Sequence, residues 1–275
     1  MNAPHRLAVL VDSCLLPSVS GSADRLPEWI LRGLERGTPG VAVHTDGADA
    51  RKAAQALRAA APDALAGHPG PPAASDGSTA AAELVAAGAN LHLGVRPGAA
   101  AETTRAFVTA LQTHGVAAAL GPFTGTGSLR PFAEGAAAGV RAITAGHAAA
   151  PGGEGRPAVL SQSAVTGTLR GELGYGGVVM SDVLDAPDII ESWGVPGAAV
   201  LAWIAGVDLV RLGPGSGAGV RNAIHAAAAR AVADGDLPMG RLEEAADRVA
   251  RLRRWASEPR MPVAALRERV VPLEA

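Results

Sequence analysis

A parallel (β/α)8 barrel of TIM type is the fold this sequence predicts, and two observations carry the prediction. Short apolar runs alternate with helix-length segments from end to end, the trace left by repeated βα units around a parallel sheet. Eight such runs can be counted, the number that closes a barrel. A length of 275 residues with 48% hydrophobic content suits one domain spanning 1–275, because a chain of this size buries a substantial core.

In order, the first apolar run is residues 7–11, read as the opening strand with Asp12 at its end, and a helix follows over 26–36. The next strands are expected at 40–43, 64–66, 91–95 and 116–120, separated by helices at 50–60, 78–87 and 101–114. Strands at 142–144, 178–180 and 209–212 complete the set, with helices at 129–138, 164–173, 197–205 and 218–234 between and after them. Most of these helices run into the glycine that helix carboxyl ends favour. A further carboxyl-terminal helix over 240–255 repeats Leu242, Ala245, Ala246, Val249 and Leu252 at three and four residues. It is expected to pack outside the barrel and to leave Arg248, Arg251 and Arg254 to solvent. Residues 68–75 and 148–155, rich in proline, glycine and alanine, read as loops rimming the mouth.

Composition narrows the function. A net charge of -2 with interspersed acids and bases provides no basic stripe for a nucleic-acid backbone, and 3% aromatic residues offer few stacking platforms. Cys14 is the only cysteine, so no internal disulfide or thiolate zinc cluster is available and a cytoplasmic setting is expected. Neither a secretory leader nor a membrane span is expected. No H-x-H or H-E-x-x-H spacing supports a metal, and no cofactor motif with the right context is present. Gly213-Pro-Gly-Ser-Gly-Ala-Gly219 resembles a phosphate cradle before a helix, but lacks the lysine of a nucleotide loop. Nothing in the sequence identifies a protein partner.

One stretch carries the chemistry. Gly177-Val-Val-Met180 reads as a strand covered on both faces, and Ser181-Asp182 breaks its apolar character at the carboxyl end, where barrels hold their active sites. Read alone, Asp182 is equally a cap for the following turn. With Arg156-Pro-Ala-Val-Leu-Ser161 and Leu169-Arg-Gly-Glu-Leu-Gly174 before it, however, the stretch resembles family-3 glycoside hydrolases of the bacterial β-N-acetylhexosaminidase branch. That family reads R-P-A-S-L-S, then L-R-x-E-L-G-F-x-G-V-V-F-S-D-D-L. The resemblance extends from about Gly115 through Ala205-Gly-Val-Asp-Leu-Val210 to Arg241-Leu-Glu-Glu-Ala-Ala-Asp-Arg-Val249.

The resemblance implies a retaining glycosidase with Asp182 as nucleophile, acting on a small carbohydrate or a cell-wall-derived sugar. It also implies His147 and Arg156 as substrate contacts; His44, by its place after a barrel strand, and His68, which reads equally as an exposed loop histidine, are further mouth candidates. A strand-end histidine such as His147 can equally donate to a loop carbonyl. His92 and His114 are taken as structural. Departures from the pattern matter as much. The family's second aspartate is Val183 here, and Val116 to Gly127 align with V-A-A-x-x-K-H-F-P-G-H-G while Gly121, Pro122 and Thr126 replace its lysine and two histidines. The loop that carries the acid/base D-x-H is missing, since Ser128-Leu-Arg-Pro-Phe132 runs straight into the next helix. Three readings therefore stand: a glycosidase with altered catalysis, an inactive sugar- or partner-binding pseudoenzyme, and phosphate-using glycosyl transfer.

Overall fold

A computed structural model describes residues 3–21, 25–70, 76–98, 100–150 and 155–258. Nine parallel strands form one sheet in the order β1-β9-β8-β7-β6-β5-β4-β3-β2, with helical segments between successive strands from β2 onward. The strands are β1 (Leu15–Leu16), β2 (Ser18–Val19), β3 (Gly40–Val43), β4 (Leu65–His68), β5 (Leu91–Val95), β6 (Ala117–Phe123), β7 (Ala142–Ala145), β8 (Val178–Val183) and β9 (Leu209–Arg211). The two shortest are halves of one extended segment divided at Pro17. β1 pairs with β9 through Leu15 and Val210, while β2 pairs with β3 through Ser18 and Ala42. The two ends of the strand order therefore meet at Pro17, and the sheet closes as an eight-stranded (β/α)8 barrel.

The opening of the chain differs from the expectation. Residues 7–11 belong to helix α1 (Ala3–Ser13), and the first strand begins only at Leu15. A five-residue apolar run does not distinguish a strand from a buried helix face. Leu7, Leu10, Val11 and Cys14 recur at three and four residues, and the helix packs this face into the outer core. Asp12 is consequently outside the barrel, fully buried, and held by the Arg221 guanidinium at 2.8 and 2.5 Å and by His225 Nε2 at 2.9 Å.

Alternation along each strand sorts the core. Leu16, Ala42, Leu65, Leu91, Ala117, Ala119, Ala142, Val178, Met180 and Leu209 fill the interior. Their neighbours Val41, Val43, Leu120, Ile143, Val179 and Val210 face the helix layer. Continuing the inward period by two at the carboxyl ends reaches His44, Gly121, Thr144, Asp182 and Arg211, so the barrel geometry itself aims these positions at the mouth.

At the opposite end lies α9 (Met239–Ser257), which closes the barrel rather than lying outside it. Its Val249 and Leu252 join the interior cluster. Arg253 reaches Asp63, just before β4, at 2.5 Å. Arg241 and Arg248 bind Asp208, just before β9, at 2.5 and 3.2 Å. Arg248 is thus not part of a solvated row, although Arg251 and Arg254 are exposed. Asp208 is fully buried and also accepts from Arg170 at 2.5 Å and from the Val179 backbone N–H at 2.9 Å. Arg170 comes from the π-helical segment Ser163–Glu172, so one carboxylate joins that segment, β8, β9 and α9.

Removing that carboxylate leaves three partly buried guanidinium groups without their shared anion. Asp208→Ala should cost about 3–5 kcal/mol of stability, the range for breaking a buried ion pair from one side. Urea unfolding measures this, and a loss below about 1 kcal/mol would contradict the role given to Asp208.

Candidate active site

The mouth holds a cavity of about 550 Å3, whose lining includes His92, Arg96, Gly121, Pro122, Thr144, Asp182 and Arg211. Asp182 stands on the inward face of β8, about two-fifths exposed. Its Oδ1 accepts the Val183 backbone N–H at 2.8 Å and lies 3.5 Å from Arg211 Nη1. Asp182 is therefore held by its own strand, in contact with the cavity, beside a cation.

Arg211 ends β9 and is buried. Its backbone N–H donates to Ser181 Oγ at 2.8 Å, locking β9 to the residue before Asp182. Burial pushes the guanidinium below the usual arginine range, opposed by Asp182. The sequence signal for Arg211 was its place among Leu209, Val210 and Leu212, a charge inside an otherwise buried strand; sequence reasoning passed over it.

The expected sugar contacts do not gather at this cavity. His68 is buried at the end of β4, where its Nδ1 accepts from Gly70 N–H at 3.0 Å and its Nε2 donates to the Thr45 carbonyl at 2.9 Å. It borders a separate cavity with Asp46, Arg51 and Glu83. His147 lies 3.6 Å from Asp188 at the start of α7 (Pro187–Ala205), with Nε2 buried and without a hydrogen-bond partner. Arg156 is exposed. His44 is partly buried after β3, and burial first, then Arg211 and His68, push its pKa down, so it is neutral at pH 7. Residues 71–75 and 151–154 of the two expected rim loops lie outside the described residues.

His92, taken as structural, lines the cavity instead. Its Nδ1 accepts from Gly94 N–H at 3.1 Å, which places the proton of the neutral ring on Nε2. His114 does bond locally, its Nδ1 donating to the Ala110 carbonyl at 2.8 Å. The glycine loop after β9 already holds an anion of its own. Asp185 accepts from Gly213 N–H at 2.8 Å and from Ser216 Oγ at 3.3 Å. The phosphate-cradle resemblance is thus answered by a carboxylate of the chain. Gly121 is closely covered, since a Cβ there would lie 2.6 Å from the Thr144 carbonyl oxygen. The connection from β6 to α6 (Arg130–Ala137), residues 124–129, contains neither an acid nor a histidine.

The class these features define is a parallel barrel with a carboxylate at its carboxyl-terminal mouth, and comparison with known proteins narrows it. Residues 125–252 match the model of the glycosyl hydrolase family 3 N-terminal domain. A β-hexosaminidase of Xanthomonas oryzae pv. oryzae is 32% identical over an alignment of 137 residues that covers 42% of this chain and 41% of that protein. A β-hexosaminidase of Xanthomonas axonopodis pv. citri gives the same figures. The chain thus spans about two fifths of the length of the curated relatives it matches. Among solved structures, a family 3 β-N-acetylglucosaminidase from Paenibacillus sp. superposes with a TM-score of 0.76 at 22% identity, over 95% of this chain and 64% of that one. A β-N-acetylhexosaminidase from Beutenbergia cavernae gives 0.72 at 21% identity, over 90% and 98%. The chain is therefore a barrel similar in sequence to the family 3 N-terminal domain over residues 125–252 and similar in fold to solved family-3 proteins over 90% or more of its length.

Two predictions arise here. Burial first, and His68 second, push the His92 pKa down to about 4 against an ordinary value near 6.5. A folded value below the unfolded one means that the stability linked to neutral His92 is present above about pH 6.5 and is lost as pH falls toward 4. A histidine NMR titration should give a His92 midpoint near 4; a midpoint near 6.5 contradicts the buried neutral ring. Secondly, restoring lysine at position 121 forces its Cβ against the Thr144 backbone. Gly121→Lys should cost about 1–3 kcal/mol in urea unfolding, the usual range for overpacking, and a neutral result would show that β6 and β7 can part freely.

Proposed function

We propose that the chain binds a β-linked N-acetylhexosaminide in this mouth and that Asp182 attacks its anomeric carbon. The observation that carries the reading is the Asp182 carboxylate, fixed by Val183 N–H at the strand end and open to the cavity. An ionised carboxylate held there can form a glycosyl ester, which water then hydrolyses with overall retention. The similarity to hexosaminidases supports the substrate class, and Cys14 as the only cysteine suits a cytoplasmic setting.

Asp182 is the only carboxylate among the described residues that line the cavity, so departure of the leaving group is the difficult step. A positioned general acid contributes about a hundred- to ten-thousand-fold. Glycosides whose leaving group departs as a stable anion bypass that demand; alkyl glycosides and disaccharides do not. Sugar affinity is weak in this reading, because Gly121 and Pro122 stand where the family has a lysine and a histidine. The inactive sugar-binding reading draws on the same absence.

Slow turnover of a nitrophenyl N-acetylglucosaminide is expected, at least a hundredfold faster than an alkyl analogue. Asp182→Asn should abolish it, since the amide keeps the shape and removes the nucleophile. Undiminished turnover by Asp182→Asn would end the nucleophile assignment. No turnover with retained sugar binding would favour the inactive reading, whereas efficient hydrolysis of a disaccharide would require an acid other than a cavity carboxylate.

A further inference from the structure

Arg211 differs from the chain's other buried arginines. Arg221 grips Asp12 with two contacts of 2.8 and 2.5 Å, and Arg170 meets Asp208 at 2.5 Å. Arg211 is as buried as these, with 7% of its side chain exposed, yet its one carboxylate contact is 3.5 Å long and its Nε is buried with no hydrogen-bond partner. Asp182 does not compensate it closely, because the same Oδ1 is held by Val183 N–H. A buried guanidinium so loosely paired carries most of its desolvation cost unrelieved. Among the described residues the cavity lining supplies no carboxylate besides Asp182: Arg96 adds another cation to it, and His44 beside Arg211 is neutral. Thr144 Oγ1, also on the lining, is buried without a partner and can donate.

We propose that the mouth accepts a ligand bearing an oxyanion, carboxylate or phosphate, which the Arg211 guanidinium receives beside Asp182. The planar fork of arginine donates two parallel hydrogen bonds to such a group and so supplies recognition that Gly121 and Pro122 cannot. The proposal rests on the reading of this mouth as the ligand site. It adds the charge of the ligand, which that reading left open.

Calorimetric titration in a chloride buffer tests it with four probes: inorganic phosphate, glucose 1-phosphate, glucuronate and neutral glucose. At least one anionic probe should bind tenfold or more tightly than glucose. Phosphate as the best binder identifies a free ion as the source, whereas glucose 1-phosphate or glucuronate ahead of phosphate identifies an oxyanion carried by a sugar. Arg211→Met should weaken the preferred anion at least tenfold. Asp182→Asn, which removes the competing carboxylate and keeps its shape, should strengthen it threefold or more. Equal affinity for all four probes overturns the proposal, as does an Arg211→Met variant with unchanged anion affinity. Should Arg211→Met fail to fold, Asp182→Asn decides, and an anion affinity unchanged or weaker in that variant overturns it. Turnover of a nitrophenyl N-acetylglucosaminide that depends on Asp182, without any preference for anions, would sink this inference while leaving the functional reading standing.

Discussion

Asp208 is the constraint on which the site depends. It sits fully buried at the amino-terminal end of β9 and binds Arg170, Arg241, Arg248 and the backbone N–H of Val179. Those partners come from the π-helical segment before β8, from α9 and from β8 itself. One carboxylate therefore fixes the relative positions of β8 and β9, the two strands whose far ends carry Asp182 and Arg211. Buried charges need close partners, and Glu244, 2.8 Å from Arg241 and 2.5 Å from Arg248, adds a second carboxylate beside Asp208. The Asp208 cluster lies at the bottom of the barrel and the candidate site at the top, as the parallel architecture allows.

The mouth follows the opposite pattern. Thr144 Oγ1 and Arg211 Nε, both on residues that line the cavity, are buried without hydrogen-bond partners. Buried polar atoms are nearly always paired, so these two stand out against the fully bonded Asp208. Thr144 packs so closely on Gly121 that no side chain fits there, and the cations of the lining are Arg96 and Arg211.

The histidines illustrate how far placement departs from residue type. His68 and His92 lie on neighbouring strands in direct register. One turns outward to bond the Thr45 carbonyl, and the other lines the cavity with its basic nitrogen tied to Gly94 N–H. His147 finds Asp188 on the following helix and not the cavity.

By itself the sequence determined the barrel, because eight apolar runs alternating with amphipathic segments match the strand number of a closed parallel barrel, and it singled out Asp182, because an acid ending an apolar strand breaks the pattern visibly. It also displayed Arg170, Asp208, Arg241 and Arg248 inside recognisable stretches, without showing that they meet. Only the tertiary structure decided that, since their contacts join residues far apart in the chain through helix packing that no local period encodes. The same limit explains the opening: Leu7 to Val11 suit a strand or a buried helix equally, and contact with the outer core decided for the helix. Arg211 was visible as a letter but not as a neighbour of Asp182, because strand register, set by closure of the whole sheet through Pro17, is what places the two side by side.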